Sequence, residues 1–452
     1  AMALAAELER RNALDLVFIE KWTLGFDAFM TEARKYSEAD VTSTCRLPVE
    51  QFHLLADMYQ SAENVAANFG NGIERGRSGG SGLRAAMALQ ALTGNHGRLG
   101  AGVVAKSGMA SPKTPDRLHC ADRIRPGTRT FNIVDVADKL QDGTLDIPVK
   151  AVMIYNHNPV ATHPDQANMI RALAQKDLFI AGSDVVMTDS MAYCDVILPA
   201  ASHFECDDIY GAYGQNYVQR AAPVIDPVGE ALPNTEIFRR LAKRFGYADP
   251  VFTASDQQLM DDAMDGQDPR FGGTAPSQLP VGTSIEMNQP DGSQWILCQT
   301  VEPGTASGRI ELYSEDLEQR FGYGVPRYER VAQDLPLALV TPSSSKRTNA
   351  TFGGCQESSG PEELEMNPRD AGARDLVDGD MVTVRNARGA VTFRLKITRA
   401  VRPGVLYSPK GTWRASSDTG LTANALIPST IRTDIADGAC YNETFVEVER
   451  SI

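Results

Sequence analysis

Two short loops carry residue types suited to holding a nucleotide. Asn156-His157-Asn158-Pro159 follows the apolar run 149–155, and Gly182-Ser183-Asp184 follows the apolar run 178–181. Small residues admit a phosphate, and asparagine side chains hydrogen-bond to a pyrophosphate or a sugar. A carboxylate accepts from a ribose hydroxyl or from the N1–H and N2–H edge of guanine. In open parallel sheets, ligands bind at the carboxyl ends of strands, where loops present backbone N–H groups and helix N-termini. The same residue types also dominate turns that only satisfy their own backbone. From spacing alone the two readings stand level.

A third stretch, Thr341-Pro342-Ser343-Ser344-Ser345-Lys346-Arg347-Thr348-Asn349, follows the apolar strand 337–340. Its hydroxyls, two cations and an amide suit a polyanionic or hydrogen-bond-rich heterocycle. A solvated loop has the same composition. Arg77-Ser78-Gly79-Gly80-Ser81-Gly82 precedes a helix bearing Arg84 and superficially suggests a phosphate cradle. It is neither a G-x-G-x-x-G fingerprint nor a Walker loop. An arginine at a helix start opposes the macrodipole, so it is often held for another purpose, such as an anionic ligand; a solvated arginine is the commoner case. His157, His163 and His203 fall in separate loops with no H-E-x-x-H spacing, which offers no metal site. There is no G-x-S-x-G elbow.

The elements that position these loops fall into three textures. Up to about residue 80 the chain reads as helical, with Leu4, Leu8, Leu14 and Phe18 near helical spacing and a second helix over 49–60. A short strand over 65–69 ends at the turn Gly70-Asn71-Gly72. From about 81 to 330, strand and helix alternate: a helix over 83–92, strands at 149–155, 178–181 and 195–198, and a helix over 166–175. Short apolar strands alternating with helices predict a parallel α/β sheet. Residues 250–295 are rich in Asp, Gln, Gly and Pro and read as a surface excursion with little regular structure. From about 331 to 452 the chain is β-rich. Val391, Phe393, Leu395 and Ile397 alternate with polar residues, and Asn386-Ala387-Arg388-Gly389 makes a hairpin turn with 381–385. A compact β-barrel is the simplest assembly.

At 452 residues the chain has room for roughly three domains. With 42% hydrophobic and 23% charged residues, it has the composition of a folded globular protein. A net charge of −14 counts against nucleic-acid binding, which needs cations to displace counterions from phosphate. No apolar run approaches the ~20 residues of a membrane span, and no secretory signal is visible. The seven cysteines include no C-x-x-C pair, so zinc and iron–sulfur signatures are absent and reduced thiols are expected. The sequence opens inside a helical pattern with Met2 in second place, which raises the expectation of a fragment.

Several segments together resemble one family, the molybdopterin oxidoreductases of the dimethyl sulfoxide reductase superfamily. They are GLRAAMALQALTGNHGRLGAGV (82–103), YNHNPVATHPD (155–165), SDVVMTDSMAYCDVILPAASHFE (183–205), PVIDPVGEALPNTEIFRRLAKRFG (223–246) and the whole of 337–448. Their order and spacing match from end to end; residues 250–330 match least. The resemblance implies an α/β fold with parallel sheets followed by a double-psi-type β-barrel. In family terms, residues 1–80 would be the remainder of the third domain, 81–330 the second, and 331–452 the fourth. It implies two molybdopterin guanine dinucleotides carrying molybdenum or tungsten. Asn156, Asn158, Pro159, Gly182, Ser183 and Asp184 would approach a guanosine diphosphate part, with Asp184 recognising guanine or ribose. Thr341, Ser343, Lys346, Arg347 and Asn349 match the first pterin-contacting loop, and Asn424 and Asn442 match later contacts.

Arg84 aligns with an arginine near metal and substrate in formate dehydrogenases, where a cation would orient an oxyanion. The surrounding 77–80 segment departs from that pattern, which counts against formate itself. The family's iron–sulfur segment and metal-ligating residue have no counterpart in the sequence. The expectation is therefore the carboxyl-terminal two-thirds of a catalytic subunit, inactive alone. Its implied partners are the amino-terminal segment, an iron–sulfur electron-transfer subunit and a small-molecule substrate, in the cytoplasm or periplasm. The implied reaction is two-electron transfer of an oxygen atom or hydride equivalent. The alternatives are a related scaffold of a respiratory complex without molybdenum, and another nucleotide-binding α/β enzyme with an appended barrel.

Overall fold

Apolar residues at helical spacing gather the first hundred residues around one core. The computed structural model describes all residues except 105–112, 115–116, 118, 212–214, 356–361, 418 and 452. The chain starts with α1 (Met2–Arg10), α2 (Leu16–Trp22), β1 (Thr23–Leu24), α3 (Phe26–Ala33), α4 (Glu38–Thr44), α5 (Val49–Ser61), β2 (Ala66–Asn68), α6 (Gly79–Leu92) and β3 (Gly102–Val104). Leu4, Leu8, Phe29, Met30, Phe52, Ala88 and Leu92 are buried together. Local caps set the helix starts: the Asp15 carboxylate accepts from the Phe18 amide at 2.9 Å, and Ser37 with Asp40 forms a capping box.

Helix α6 begins at Gly79, four residues before the apolar pattern starts at Leu83. A carboxylate far away in the chain makes this possible. Asp434 accepts from the amides of Gly80 at 2.9 Å and Ser81 at 2.8 Å, satisfying two of the donors that a helix start leaves open. The glycine stretch is thus a capped helix N-terminus whose amides are already taken, so the suggested phosphate cradle is corrected. Replacing Asp434 with alanine is expected to lower stability by about 1–2 kcal/mol, read as a fall in the denaturant midpoint. An unchanged midpoint would contradict this role.

Next come α7 (Val136–Gln141), β4 (Ala151–Tyr155), α8 (Pro159–Thr162), α9 (Gln166–Leu173), β5 (Phe179–Asp184) and β6 (Val196–Pro199). The three strands form a parallel sheet in the order β4-β5-β6. Ile154, Val160, Met169, Leu173 and Ile180 pack between sheet and helices. The chain continues with β7 (Asp208–Tyr210), β8 (Tyr217–Ala221), α10 (Asn234–Phe245), α11 (Asp256–Ala263) and β9 (Ser284–Glu286). Residues 250–295 are more ordered than their composition suggests. Helix α11 is held by a Ser255–Gln258 capping box, and β9 pairs with β8 over Val218, Met264, Phe271, Leu279 and Met287. The few apolar residues there are spread too widely for any periodicity to show.

Strand β10 (Ile310–Glu311) then returns to pair in parallel with β1, and Leu312 joins the first core. That core also takes in α6, so the boundary read near residue 80 falls inside it. The last elements are α12 (Glu315–Phe321), β11 (Leu337–Val340), β12 (Glu363–Met366), α13 (Pro368–Gly372), β13 (Met381–Asn386), β14 (Gly389–Ile397), β15 (Val405–Tyr407) and β16 (Thr444–Arg450).

Strands β11 to β16 close into a barrel in the order β11-β15-β12-β14-β13-β16. It is of the double-psi type, with parallel ladders at β11–β15 and β12–β14 and antiparallel ladders elsewhere. The alternation in β14 points Val391, Phe393 and Leu395 into the barrel, against Leu339, Leu364, Val382 and Leu406. The hairpin register is Asn386 opposite Gly389, as the turn sequence predicts. The overall class is therefore the expected one: parallel α/β sheet, then barrel.

Candidate functional site

The loops leaving β4 and β5 abut the barrel. Asn424 Nδ2 donates to the Ala161 carbonyl at 2.7 Å, and the Thr422 amide to Gln166 Oε1 at 2.7 Å. The Asp165 amide donates to the Ile427 carbonyl at 2.9 Å. The loop after β5 is tied down as well, because Asp189 accepts from the Arg414 amide at 2.8 Å. Ser190 joins the two sheet loops, donating to Asn158 Oδ1 at 2.6 Å while its own oxygen accepts from the Val160 amide at 3.0 Å.

At this seam lies a cavity of about 260 Å³, lined among others by Arg75, His157, His163, Asn349, Lys410 and Asn424. Among the described residues, its charged lining is Arg75 and Lys410, with no carboxylate. In a chain of net charge −14, a cavity lined by two cations and two amides suits an anion. The Arg75 guanidinium sits 5.2 Å from the ring centre of Tyr441, whose hydroxyl donates to the Thr162 carbonyl at 2.9 Å. Burial, and then Arg75, hold the Lys410 ammonium below its ordinary pKa.

His157 Nε2 and His163 Nε2 lie 2.8 Å apart, so one ring donates and the other accepts. Burial lowers both pKa values; His163 falls to about 4, with His157 adding to the effect. The pair is neutral at pH 7 and leaves the cations of this cavity to Arg75 and Lys410.

Glycine at 411 lets the two barrel loops meet. Its φ is +93°, and a Cβ there would lie 1.5 Å from the Asn349 carbonyl oxygen. Beside it, Trp413 Nε1 donates to the Ala350 carbonyl at 2.9 Å, with Ala161 packed against both residues.

The structure brings some of the sequence-derived residues together and leaves others apart. Asn349 and Asn424 line the cavity, while Asn158 and Pro159 are buried beside it in the His157–His163 segment. Four of the candidates carry buried polar atoms without a hydrogen-bond partner: Asn158 Nδ2, Ser183 Oγ, Thr341 Oγ1 and Arg347 Nε. Ser408, whose amide donates to the Val340 carbonyl, has an unpartnered Oγ too. Unmet buried donors cost about 1–3 kcal/mol each, so their gathering in these loops marks places where a ligand with many acceptors would be repaid.

Asn156 is exposed and accepts from Asn234 Nδ2 at 2.8 Å. Gly182 is explained by packing, since a Cβ would come within 2.5 Å of Cys194 Sγ and Met191 Sδ. Asp184 ends β5 half-exposed, accepting from the Val185 amide at 2.8 Å, with its pKa raised by burial. Ser343 and Lys346 stand exposed on their loop. Asn442 donates to the Gly72 carbonyl at 2.9 Å.

Arg84 lies outside the seam cavity. Its Nη1 donates to the Tyr323 carbonyl at 2.7 Å and its Nη2 to that of Gly324 at 2.9 Å, which fastens that segment to α6. It borders a separate, more apolar cavity of about 440 Å³ with Phe29, Met87 and Trp295.

Sequence reasoning missed Arg75, Lys410, Tyr441 and His163 as cavity residues. The available signal was Pro409-Lys410-Gly411, a cation beside a glycine directly after a strand.

Residues 18–244, half of the chain, match the family described as molybdopterin oxidoreductase. The chain belongs to this family, within the dimethyl sulfoxide reductase superfamily. Residues 337–445, covering the barrel, match the molydopterin dinucleotide binding domain. Probable oxidoreductase YoaE of Bacillus subtilis (strain 168) is 28% identical over the whole chain and 66% of its own length. The dimethyl sulfoxide/trimethylamine N-oxide reductase of Rhodobacter capsulatus is 23% identical over 99% of the chain and 63% of its own length. The chain thus spans a little under two thirds of these relatives. Acetylene hydratase from Pelobacter acetylenicus shares the fold, with a TM-score of 0.79 at 17% identity over all of this chain and 70% of that one.

Proposed function

We propose that this chain holds a molybdopterin guanine dinucleotide cofactor for a two-electron oxidoreductase acting on a small substrate, by transfer of an oxygen atom or a hydride equivalent. The observation that carries this reading is the seam cavity with Arg75 and Lys410 and no carboxylate in its described lining. The unpartnered atoms of Asn158, Ser183, Thr341, Arg347 and Ser408 in the adjoining loops fit a large, acceptor-rich group. When bound, the cofactor would supply a molybdenum or tungsten centre that cycles by two electrons.

This chain's own residues would bind and orient it. Arg75 and Lys410 would meet phosphate oxygens, Asn349 and Asn424 would border the same groove, and the Thr341–Asn349 loop would face the pterin. Asp184, at the end of β5, would take the guanine or ribose edge. On this reading an iron–sulfur group supplied from outside residues 1–452 would serve as electron acceptor, and Arg84 would brace the substrate side through α6. The scaffold alternative gives no reason for a cationic cavity beside unmet donors.

The test is binding of molybdopterin guanine dinucleotide under anaerobic conditions, followed by pterin fluorescence. The native chain is expected to bind, and the double variant Arg75→Gln/Lys410→Gln to bind about 10²-fold more weakly. Absence of binding by the native chain, or equal binding by the variant, would refute the proposal.

A further inference from the structure

Behind the Thr341–Asn349 loop lies a carboxylate that no sequence motif singled out. Glu362, just before β12, is 3% exposed. Its carboxylate accepts from the Ala423 amide at 3.2 Å and from the Thr412 hydroxyl. The hydroxyl oxygen of Thr412, itself buried, accepts from Arg347 Nη1. Three elements distant in sequence therefore form one chain of contacts, Arg347 to Thr412 to Glu362. At its outer end, Arg347 Nε is a buried donor with no partner. A guanidinium held at one corner, with a second N–H unmet, is arranged to receive an acceptor.

We propose that Glu362 is a positioning residue for this loop: acting through Thr412 it fixes the Arg347 guanidinium, and its charge state sets how much of that positive charge an anionic ligand feels. This rests on the reading that residues 341–349 hold the pyrophosphate-linked pterin.

The electrostatics of the pocket support the coupling. Burial pushes the Glu362 carboxyl up to about 7, against the opposing pull of Thr412, the Ala423 amide and Arg347. The charged group facing Glu362 is Arg347; Tyr407 of β15 faces Arg347 in turn, while Thr412 and Ala423 contribute only a hydroxyl and an amide. Below pH 7 the carboxyl is neutral and Arg347 acts as a full cation. Above it the carboxylate offsets that charge and repels an anion at the same place. Affinity for an anionic ligand should therefore fall as pH rises through 7.

The experiment uses molybdopterin guanine dinucleotide as probe, because a pyrophosphate diester keeps constant charge across this range. Its affinity is measured at pH 6 and pH 8 for the native chain, Glu362→Gln and Thr412→Val. The native chain should bind about tenfold more weakly at pH 8. Glu362→Gln should show no step and keep the tighter affinity at both values. Thr412→Val preserves side-chain volume, so it tests the link even where the glutamine variant fails to fold. It should bind more weakly than native at pH 6, with a smaller step. A native step retained in full by either variant overturns the proposal, as does native binding without a step. Native chain that binds at neither pH overturns the cofactor reading along with it, so the two failures are told apart.

Discussion

Alanine at position 411 is expected to lower the unfolding free energy by about 3–5 kcal/mol, one of the largest effects of a single methyl group in this chain. Two costs add. The backbone there has a φ of +93°, which L side chains rarely adopt, and the new Cβ would lie 1.5 Å from the Asn349 carbonyl oxygen. That oxygen is backbone, so relief requires the two loops to part. Parting them would widen the seam cavity, to which Asn349, Lys410 and Gly411 all contribute. Urea unfolding of Gly411→Ala beside Gly143→Ala checks this, because nothing lies within 4 Å of a Cβ at 143. A loss below about 1 kcal/mol at 411 would show that the loops accommodate the methyl group.

The second large effect is a cancellation in the pH dependence of stability. His163 has a folded pKa of about 4 against 6.5 when free. Between those values the unfolded chain holds a proton that the folded chain lacks, so His163 makes stability rise with pH. Glu362 has a folded pKa of about 7 against 4.5 when free. Between those values the folded chain holds the extra proton, so Glu362 makes stability fall as pH rises. Each effect approaches about 3 kcal/mol over its full range. Between pH 4.5 and 6.5 their slopes are opposite and nearly equal, so together they contribute almost no slope. Removing one exposes the other. Relative to the native profile, Glu362→Gln should gain a rising slope of about 1.4 kcal/mol per pH unit in this window, and His163→Gln a falling slope of similar size. Unfolding free energies at pH 4.5, 5.5 and 6.5 decide the matter. Parallel profiles for all three proteins would show that neither group titrates as described.

Much of the fold was legible because its signals are local. The alternation at 391–397 survives directly as the inward face of β14, and the apolar runs at 149–155 and 178–181 became adjacent parallel strands. What escaped depended on distant partners. The start of α6 is set by Asp434, more than 350 residues away, so its glycines gave no helical signal. In the 250–295 stretch, the pair Ser255 and Gln258 was a capping box in plain sight, hidden by the polar composition around it.

The candidate site divides along the same line. Asn158, Thr341, Arg347 and Asn349 stand beside apolar strands, in loops whose residue types already suggested binding. Lys410 and Tyr441 look ordinary until the barrel closes and carries them to the α8 segment, where Arg75, from just before α6, meets them. Glu362 could not be singled out from sequence at all, because its character comes from burial rather than from its neighbours in the chain.

The return of residues 310–312 to the start of the chain has a consequence for synthesis. Strand β1 finds its partner in β10, and Leu312 fills part of the core built by α1, α3, α5 and α6. While a ribosome is still translating the segments in between, the amino-terminal helices lack both. The nascent chain must therefore carry an incompletely sealed apolar surface through some two hundred further residues of elongation, a long interval for holdase chaperones to act.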